Sequence, residues 1–256
     1  MPIIATWNVN GIRAAVRNGF LAWLDDVRPD IVCLQETRAG TEDLPDDVLR
    51  PPGYESLWRA AAKKGYSGVA VYYKPGFEPM EAESLGDPRF DLEGRALVLA
   101  YKDFTLINAY YPNSQPEKAR LEYKLAFCDA MLAFCQQVRR AGKNIVVCGD
   151  YNIAPTEIDL ARPAQNENSA GYYPEERAAM QAFLAAGYVD AFRLFCPDPG
   201  HYTWWSYRAK AREKNIGWRI DHHCVNREFA GRVKSVIIQN AVMGSDHCPV
   251  LLTLKN

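Results

Sequence analysis

The sequence predicts an α/β protein in which two β-sheets pack together, helices cover their outer faces, and a single domain spans residues 1–256. Short apolar runs suited to buried strands occur along the whole chain, and only a few long helical patterns separate them. The runs at 96–101 and 105–110 are joined by Lys102, Asp103 and Phe104 alone, as in a hairpin. A strictly alternating, doubly wound sheet therefore fits less well.

Nine runs are predicted as strands because they are rich in β-branched, aromatic and other apolar residues. Four consecutive apolar residues at 145–148 suit a strand that is buried on both faces, and Gly149 then frees the backbone. The predicted strands are 3–7, 31–35, 68–73, 96–101, 105–110, 144–148, 219–225, 233–238 and 250–254.

Three helices are predicted between these strands, at 19–27, 117–141 and 174–186. The helix at 117–141 is the clearest, because its apolar residues recur at steps of three and four and make one buried stripe. Pro116 suits the first turn of this helix and Gly142 suits its C-terminal cap. The predicted stripe consists of Leu121, Leu125, Cys128, Leu132 and Cys135.

The composition is that of a soluble globular protein, with 48% hydrophobic and 24% charged residues. A net charge of −1 and a pI of about 6.4 do not indicate a nucleic-acid or membrane partner, so a local basic patch or a metal ion must meet any anionic substrate. No transmembrane run or signal peptide is recognisable. The seven cysteines lack CxxC spacing, so we expect a reducing, cytoplasmic compartment and no zinc site.

Polar residues lie at the ends of four predicted strands. Asp150 and Asn152 come just after the buried run, and in an extended chain residues two positions apart point the same way. Such a pair can hold and orient one water, although an Asx turn is the alternative interpretation. The other groups are Asn8 and Asn10 after the first strand, Glu36 after the second, and Asp246 with His247 before the last.

These groups suit metal-assisted hydrolysis of a phosphodiester, which needs a positioned water, a cation and donors to the phosphate. A lone carboxylate at a strand mouth, such as Glu36, suits Mg²⁺ with its waters, but it could also be an ordinary solvated acid. His247 could be a buried structural histidine. An aspartate such as Asp221 on one ring nitrogen would instead favour the imidazolium and leave the other N–H for a phosphate oxygen. Neither a G-x-S-x-G motif nor a P-loop is present.

Aromatic and cationic residues are interleaved between positions 202 and 219. The cations suit phosphate contacts, and the aromatic rings suit an extruded sugar or base. The alternative is a core aromatic cluster beside a solvated charged segment, and we expect some of the tryptophans to be core residues in either case. Tyr110, at another strand end, could donate to phosphate or could be packed with its hydroxyl bonded.

With these residues the chain resembles the exonuclease III family of abasic-site endonucleases, within the endonuclease/exonuclease/phosphatase superfamily. A single tetrapeptide would be weak evidence, but the matching stretches occur in family order over almost the whole chain, and this ordered set is very specific. The stretches are Trp-Asn-Val-Asn-Gly-Ile-Arg at 7–13, Leu-Gln-Glu-Thr at 34–37, Glu-Gly-Arg at 93–95, Asn-Ala-Tyr-Tyr-Pro-Asn at 108–113, Gly-Asp-Tyr-Asn-Ile-Ala at 149–154, Tyr-Thr-Trp-Trp at 202–205, Gly-Trp-Arg-Ile-Asp at 217–221 and Gly-Ser-Asp-His-Cys-Pro at 244–249.

The resemblance implies a four-layer α/β/β/α sandwich of the DNase I type, in which two packed mixed sheets are flanked by helices and the site lies at one edge of the sheets. It also implies a bound Mg²⁺, for which Mn²⁺ can substitute. Glu36 would hold this ion, with Asn8, Asn10 and Asp246 near it or binding it through water.

The resemblance further assigns catalytic roles. Asp150 would activate the attacking water and Asn152 would orient it. His247, paired with Asp221, would hold the scissile phosphate, and Tyr110 would add a donor there.

DNA contacts are implied for seven more residues. Trp204, Trp218 and Ile220 resemble the walls of a pocket that accepts a flipped abasic sugar and rejects an intact nucleotide by size. Asn113 would donate to the scissile phosphate, and Asn166 would contact phosphate near the pocket. The remaining two are Arg95 and Arg208.

Three features depart from the family pattern. Asn10 stands where vertebrate members carry an aspartate, which leaves one charge fewer near the metal. His222 and His223 replace a more usual aromatic pair, and because they alternate faces of a strand at most one could approach the site. Arg208 stands where some relatives have an apolar residue that inserts into DNA, so the mode of lesion probing stays open.

We therefore predict a DNA repair endonuclease that cuts 5′ to an abasic site and leaves a 3′-hydroxyl and a 5′-deoxyribose phosphate. Cleaning of 3′ ends or 3′→5′ exonuclease activity is compatible with the same site. The expected partner is double-stranded DNA that contains abasic sites or blocked 3′ ends. We expect a monomer that does not bind membranes. Inside the cell it should associate with the nucleoid through its DNA substrate.

Two alternatives remain. One is a hydrolase on the same scaffold that acts on a phospholipid or an inositol phosphate, although the aromatic and cationic segment at 202–219 argues against it. The other is a non-catalytic DNA-binding module. That alternative predicts a broken catalytic set, whereas the set is complete: Glu36, Asp150, Asn152, Asp221 and His247.

Overall fold

Two six-stranded sheets lie at the centre of the protein, whose computed structural model describes residues 1–256. The strands in chain order are β1 (Ile3–Asn8), β2 (Ile31–Gln35), β3 (Glu55–Arg59), β4 (Val69–Tyr73), β5 (Glu81–Glu83), β6 (Ala96–Ala100), β7 (Thr105–Tyr110), β8 (Ile145–Asp150), β9 (Tyr188–Asp190), β10 (Asp221–Asn226), β11 (Val233–Ile238) and β12 (Val250–Leu254). The α-helices are α1 (Ile12–Arg17), α2 (Phe20–Val27), α3 (Asp46–Leu49), α4 (Pro88–Asp91), α5 (Leu121–Arg140), α6 (Pro163–Asn166) and α7 (Pro174–Ala185).

Each sheet contains one parallel pair of strands at its centre and antiparallel pairs elsewhere. The first sheet has the order β11-β12-β1-β2-β4-β3, with β1 and β2 parallel. The second has the order β5-β6-β7-β8-β10-β9, with β7 and β8 parallel. The predicted hairpin is present as the antiparallel pair β6 and β7. Two mixed sheets flanked by helices confirm the predicted fold class.

The sheets pack face to face because their central strands are apolar on both sides. In β8, Val146 and Cys148 belong to the cluster between the sheets, whereas Ile145 and Val147 pack towards α5 and α7. Side chains alternate along a strand, so one unbroken apolar run supplies both faces. On the first sheet, α1 and α2 cover the outer face in the same way around Trp7. The result is four layers in the order α/β/β/α.

Three strands, β3, β5 and β9, were not predicted, and each lies at the edge of its sheet. An edge strand has one hydrogen-bonding neighbour and less apolar packing, so its sequence need not form an apolar run. β5 reads Glu-Ala-Glu and is exposed throughout. The short helix α1, directly after Gly11, was missed as well.

The prediction that the long helix starts at residue 117 is wrong, because Glu117 and Lys118 have left-handed backbone conformations (φ 56° and 61°) and α5 begins at Leu121. The predicted stripe is also partly wrong. Phe127 and Met131 are fully buried, and Leu121 and Cys135 remain in the stripe. The predicted Leu125, Cys128 and Leu132 are only partly buried.

Gly149 lies inside a strand and does not begin a turn, which corrects the predicted end of the strand at 148. β8 continues to Asp150, and a Cβ atom on Gly149 would lie 1.9 Å from the carbonyl oxygen of Ala109 on β7. The glycine therefore lets two parallel strands approach closely. The predicted start of the strand at 219–225 is also wrong by two residues, because β10 begins at Asp221.

The cysteines form no cross-link in this fold. All seven are free, and most are buried in the apolar clusters. No helix has both the length and the apolar character that crossing a bilayer would require.

Candidate active site

Four polar side chains meet at one edge of the packed sheets, because the two central parallel pairs end there. Asn8 ends β1, Glu36 follows β2, Tyr110 ends β7 and Asp150 ends β8. The last three of these line a cavity of about 290 Å³, and Asn8 lies beneath it. Its lining consists of Asn10, Glu36, Arg38, Tyr110, Asn113, Asp150, Asn152, Ala170, Gly171, Trp204, Trp218, Ile220, Asp246 and His247.

Asn8 joins the two sheets beneath the cavity. Its side chain is fully buried, and its Nδ2 donates to Glu36 Oε2 at 3.1 Å and to Asp150 Oδ2 at 2.8 Å. Its Oδ1 accepts from the backbone N–H of Asn10 at 2.9 Å. One amide thus fixes the spacing of two carboxylates that come from different sheets.

Asp150 is almost fully enclosed, at 1% exposure. Burial raises the pKa of Asp150 to about 7, with a further rise from the charge of Asp221 and opposition from His247 and from the donors Asn8 and Asn152. A carboxylate in this state can take up a proton at neutral pH, which suits a general base.

His247 and Asp221 form a buried pair next to Asp150. The ring Nδ1 of His247 lies 2.8 Å from Asp221 Oδ2, and its Nε2 lies 3.9 Å from Asp150 Oδ2. Burial alone would lower the pKa of His247. The charge and hydrogen bond of Asp221 overcome this and, with Asp150 and Asp246, raise the pKa to about 10. At neutral pH the ring is therefore an imidazolium, and its Nε2–H lies on the side of Asp150 Oδ2.

Asn152 has a left-handed backbone conformation (φ 50°), which a non-glycine residue adopts only when its surroundings hold it there. Its backbone N–H donates to Asp150 Oδ1 at 2.7 Å, which closes an Asx turn. Its Nδ2 donates to the carbonyl oxygen of Tyr111 at 3.0 Å and contacts Asp150 Oδ2 at 3.3 Å. The predicted Asx turn is therefore present, and within it the amide of Asn152 also contacts the carboxylate of Asp150.

Tyr110 and Asn113 complete this side of the cavity. Burial, together with the charges of Glu36 and Asp150, raises the pKa of Tyr110 well above its usual value, so its hydroxyl stays protonated and can donate. Asn113 Nδ2 donates to Asn152 Oδ1 at 3.1 Å.

Asp246 also lines the cavity and is oriented by its neighbours. Its Oδ1 accepts from Asn10 Nδ2 at 2.9 Å, and its Oδ2 accepts from the ring N–H of Trp204 at 3.0 Å. Glu36 bonds to Arg38 as well as to Asn8. The cavity therefore presents two carboxylates, amide oxygens and the Asp150–His247 pair within one enclosure.

Two perpendicular indole rings and Ile220 form the apolar wall. The rings of Trp204 and Trp218 have centroids 6.3 Å apart at 87°. A Cβ atom on Gly171 would lie 3.3 Å from the ring of Trp218 and 3.1 Å from the carbonyl oxygen of Asn152, so the absence of a side chain at Gly171 lets Trp218 approach the backbone of Asn152.

Five predicted site residues lie outside the cavity lining. Asn8 and Asp221 lie beneath it, where Asn8 bonds to Glu36 and Asp150 and Asp221 bonds to His247. Arg95 is 2% exposed and lies behind Tyr110, to whose carbonyl oxygen it donates at 3.1 Å. Asn166 bonds back to its own loop, and Arg208 is exposed on a neighbouring turn.

His222 and His223 also lie outside the cavity lining. His222 packs edge-on against Tyr151, and its Nε2 lies 3.0 Å from the carbonyl oxygen of Ile153. His223 is opposite Cys148 in the strand register and is buried.

Sequence reasoning missed three residues of the lining: Arg38, Ala170 and Gly171. Arg38 is one residue among thirty arginines and lysines, with no motif of its own. Ala170 and Gly171 lie in a loop and contribute mainly by being small. Only the tertiary contacts reveal these roles.

A group of side chains that could hold a metal ion is present at the site. Asp150, Asp221 and His247 offer ligand atoms that lie within 4.8 Å of one another.

Comparisons with known proteins agree with this geometry. A sequence model described as the Endonuclease/Exonuclease/phosphatase family matches residues 5–247. The chain is 42% identical over 255 residues to an exodeoxyribonuclease of Bacillus subtilis (strain 168), covering 98% of this chain and 99% of that protein. It is 40% identical over 256 residues to the DNA repair nuclease APEX1 of Danio rerio, covering 98% and 81%. The solved structure of an AP endonuclease from Archaeoglobus fulgidus superposes with a TM-score of 0.89 at 29% identity, covering both chains fully.

Proposed function

The chain belongs to the endonuclease/exonuclease/phosphatase family and is a DNA repair nuclease, and we propose that it cuts the phosphodiester 5′ to abasic sites in double-stranded DNA with the help of Mg²⁺. The products would be a 3′-hydroxyl and a 5′-deoxyribose phosphate. Trimming of blocked 3′ ends uses the same bond type and belongs to the same proposal.

The observation that carries this proposal is the pairing of Asp150 with the His247 imidazolium on one wall of a cavity whose other wall is Trp204, Trp218 and Ile220. The first wall suits a phosphodiester, because it combines a proton acceptor with a charged donor. The second wall is apolar and suits contact with the carbon face of a small extruded group, such as a sugar that has lost its base.

In the proposed reaction, Asp150 holds a water through Oδ2 and takes its proton as the water attacks phosphorus. The P–O3′ bond breaks in the same displacement, so the phosphate stays on the abasic sugar, and the leaving 3′-oxygen takes up a proton from solvent to become the 3′-hydroxyl. Asn8 and Asn152 fix the orientation of that carboxylate. The Nε2–H of His247 and the hydroxyl of Tyr110 donate to the phosphate oxygens, where negative charge increases in the transition state. These donors are already oriented before the substrate arrives, so little reorganisation is needed.

The residues present fit Mg²⁺ better at Glu36 than at the Asp150–Asp221–His247 group. A histidine with a pKa of about 10 is protonated at neutral pH and has no free lone pair for a metal. Glu36, with Asp246 and the amide of Asn10 nearby, offers the oxygen ligands that Mg²⁺ takes while keeping several waters, and Asn8 lies beneath Glu36 and donates to it. When bound there, the ion would supply charge stabilisation at the phosphate and the leaving oxygen.

We also propose that the protein is a cytoplasmic monomer. Residues from both sheets of this chain line the cavity. The free cysteines favour a reducing compartment. Size-exclusion chromatography with light scattering tests the monomer, and a mass of two chains would contradict it.

Incision of a synthetic duplex with one abasic site tests the proposed function. We expect a cut 5′ to the site in the presence of Mg²⁺ and none with a chelator, and a matched intact duplex should be cut far more slowly. Asp150→Ala should lower turnover by several orders of magnitude while DNA binding survives, because the carboxylate acts in the transition state. Lack of metal-dependent incision by the wild-type protein would contradict the proposal.

The same assay on a lipid phosphodiester or an inositol phosphate separates the alternative hydrolases. Faster turnover of either substrate than of abasic DNA would favour that alternative. Normal cleavage by Asp150→Ala would show that Asp150 is not the water activator.

A further inference from the structure

A fully buried ion pair connects two outer helices to the back of the active site. Lys124 on α5 and Glu176 on α7 are both 0% exposed, and Lys124 Nζ lies 2.6 Å from Glu176 Oε1. Lys124 occupies a position on the buried face of α5 where an apolar residue would be expected.

Such a pair is poorly explained by stability alone. Removing two charges from water is unfavourable, and replacing a buried ion pair by well-packed apolar residues is often neutral or stabilising. Nearby positions on the same face, Phe127 and Met131, show that this layer accepts large apolar side chains. The remaining hydrogen bonds of the pair therefore indicate what it does.

On the lysine side, the pair holds the catalytic segment. Lys124 Nζ donates to the backbone carbonyl oxygen of Asn152 at 2.6 Å. The N–H of the same residue is held by Asp150 at 2.7 Å, so both backbone polar groups of Asn152 are bonded. Because Asn152 has a left-handed conformation, these bonds supply part of the surrounding constraint that keeps it there.

On the glutamate side, the pair holds the pocket wall. Glu176 Oε2 accepts from the backbone N–H groups of Gly171 at 2.8 Å and Tyr173 at 2.9 Å. Gly171 lines the cavity against Trp218. The charge pair thus links Asn152 to the wall that faces it, in addition to the backbone bond from the Ala154 N–H to the carbonyl oxygen of Gly171 at 2.9 Å.

We propose that Lys124 and Glu176 are positioning residues for the nuclease reaction, acting through Asn152 and Gly171. This inference rests on the proposed function, in which Asn152 orients Asp150. The pair touches no substrate itself. It sets the spacing within which the attacking water and the sugar must both fit, and small displacements at that distance reduce turnover strongly.

The double variant Lys124→Met/Glu176→Gln tests the proposal without leaving a buried charge unpaired. The glutamine keeps an oxygen for the N–H groups of the wall, but the contact to Asn152 is lost. We expect kcat on abasic duplex to fall at least about tenfold, with KM changed less than about threefold. Met131→Ala is the matched control, since it removes packing beneath α5 and should lower the melting temperature without lowering kcat.

A mutant cycle with Asn152→Ala separates positioning from general structural damage. If the pair acts through Asn152, adding the double variant to Asn152→Ala should lower kcat little further. Equal losses in both backgrounds, or an unchanged kcat in the double variant, would overturn the inference. If the wild-type protein did not cut abasic duplex at all, the proposed function would fail instead, so the two failures are distinguishable.

Discussion

Replacing Asp221 by asparagine tests the electrostatic basis of the site most directly. The substitution keeps the shape of the side chain and removes the charge that holds His247 as an imidazolium. Burial then acts on the ring without its main opposing partner. We therefore expect the pKa of His247 in Asp221→Asn to fall from about 10 to below 7.

The size of the effect follows from the two pKa values. A rise from 6.5 to about 10 corresponds to roughly 5 kcal/mol of preference for the charged ring, as an upper bound. A neutral ring that accepts from the asparagine amide can still donate through Nε2, but without the charge. Loss of one charged donor to a developing oxyanion typically lowers kcat by about 10²–10³. The descending limb of the pH–rate profile should move from near pH 10 to near neutrality.

The same shift predicts how stability depends on pH. Because the pKa of His247 is raised by folding, its contribution is fully present below pH 6.5 and is lost as the pH rises through about 10. In Asp221→Asn this pH dependence should largely disappear. Urea unfolding at pH 7 and pH 10 measures it.

Nitrogen NMR of the histidine rings provides the decisive measurement. The protein has four histidines, so a ¹⁵N-histidine sample gives few signals, and His247→Gln assigns the relevant one. Asp25→Asn, at a position 83% exposed in its side chain, is the control and should change nothing. If His247 remained protonated at pH 8 in Asp221→Asn, the electrostatic reasoning would be refuted.

Three further perturbations probe the wall, the fold and the metal ligand. Gly171→Ala should lower kcat/KM for abasic duplex about tenfold by pushing on Trp218. Gly200→Ala, with the same φ (+88° against +90°) but no atom within 4 Å, should not lower it, and equal losses would indicate backbone strain alone. Arginine and histidine partners overcome the effect of burial and hold the pKa of Asp190 well below its usual range, so its stabilising contribution is lost as the pH falls below about 4. Asp190→Asn should accordingly flatten the acid limb of a circular-dichroism titration, and an unchanged limb would contradict this. Glu36→Gln should weaken Mg²⁺ binding at least about tenfold in calorimetry. An unchanged affinity would show that the metal binds at other residues.

The central strands and the groups that follow them could be read from the sequence, because both signals are local. A strand buried on two faces needs an unbroken apolar run, as at 145–148, and its end is marked by the change to Asp150 and Asn152. The edge strands β3 and β9 could not be read in this way, because their register depends on a neighbour and not on their own apolar pattern.

Contacts between segments that are distant in the sequence could not be predicted, for a related reason. Lys124 reads as a solvated position of an amphipathic helix, and only the packed fold shows that it is buried against Glu176. Arg95 looks like a free cation for phosphate, whereas the fold encloses it behind Tyr110. Burial and partner choice are properties of the assembled layers.

By itself the sequence determined the fold class, the family and the residue types of the active site, because periodicity and ordered motifs are encoded along the chain. Only the tertiary structure decided that Asn8 bridges two carboxylates from different sheets, that Asp221 keeps His247 charged, and that a buried ion pair bonds to the backbone of Asn152. These features depend on distances and on exclusion of water, and both arise when strands far apart in the sequence pack together.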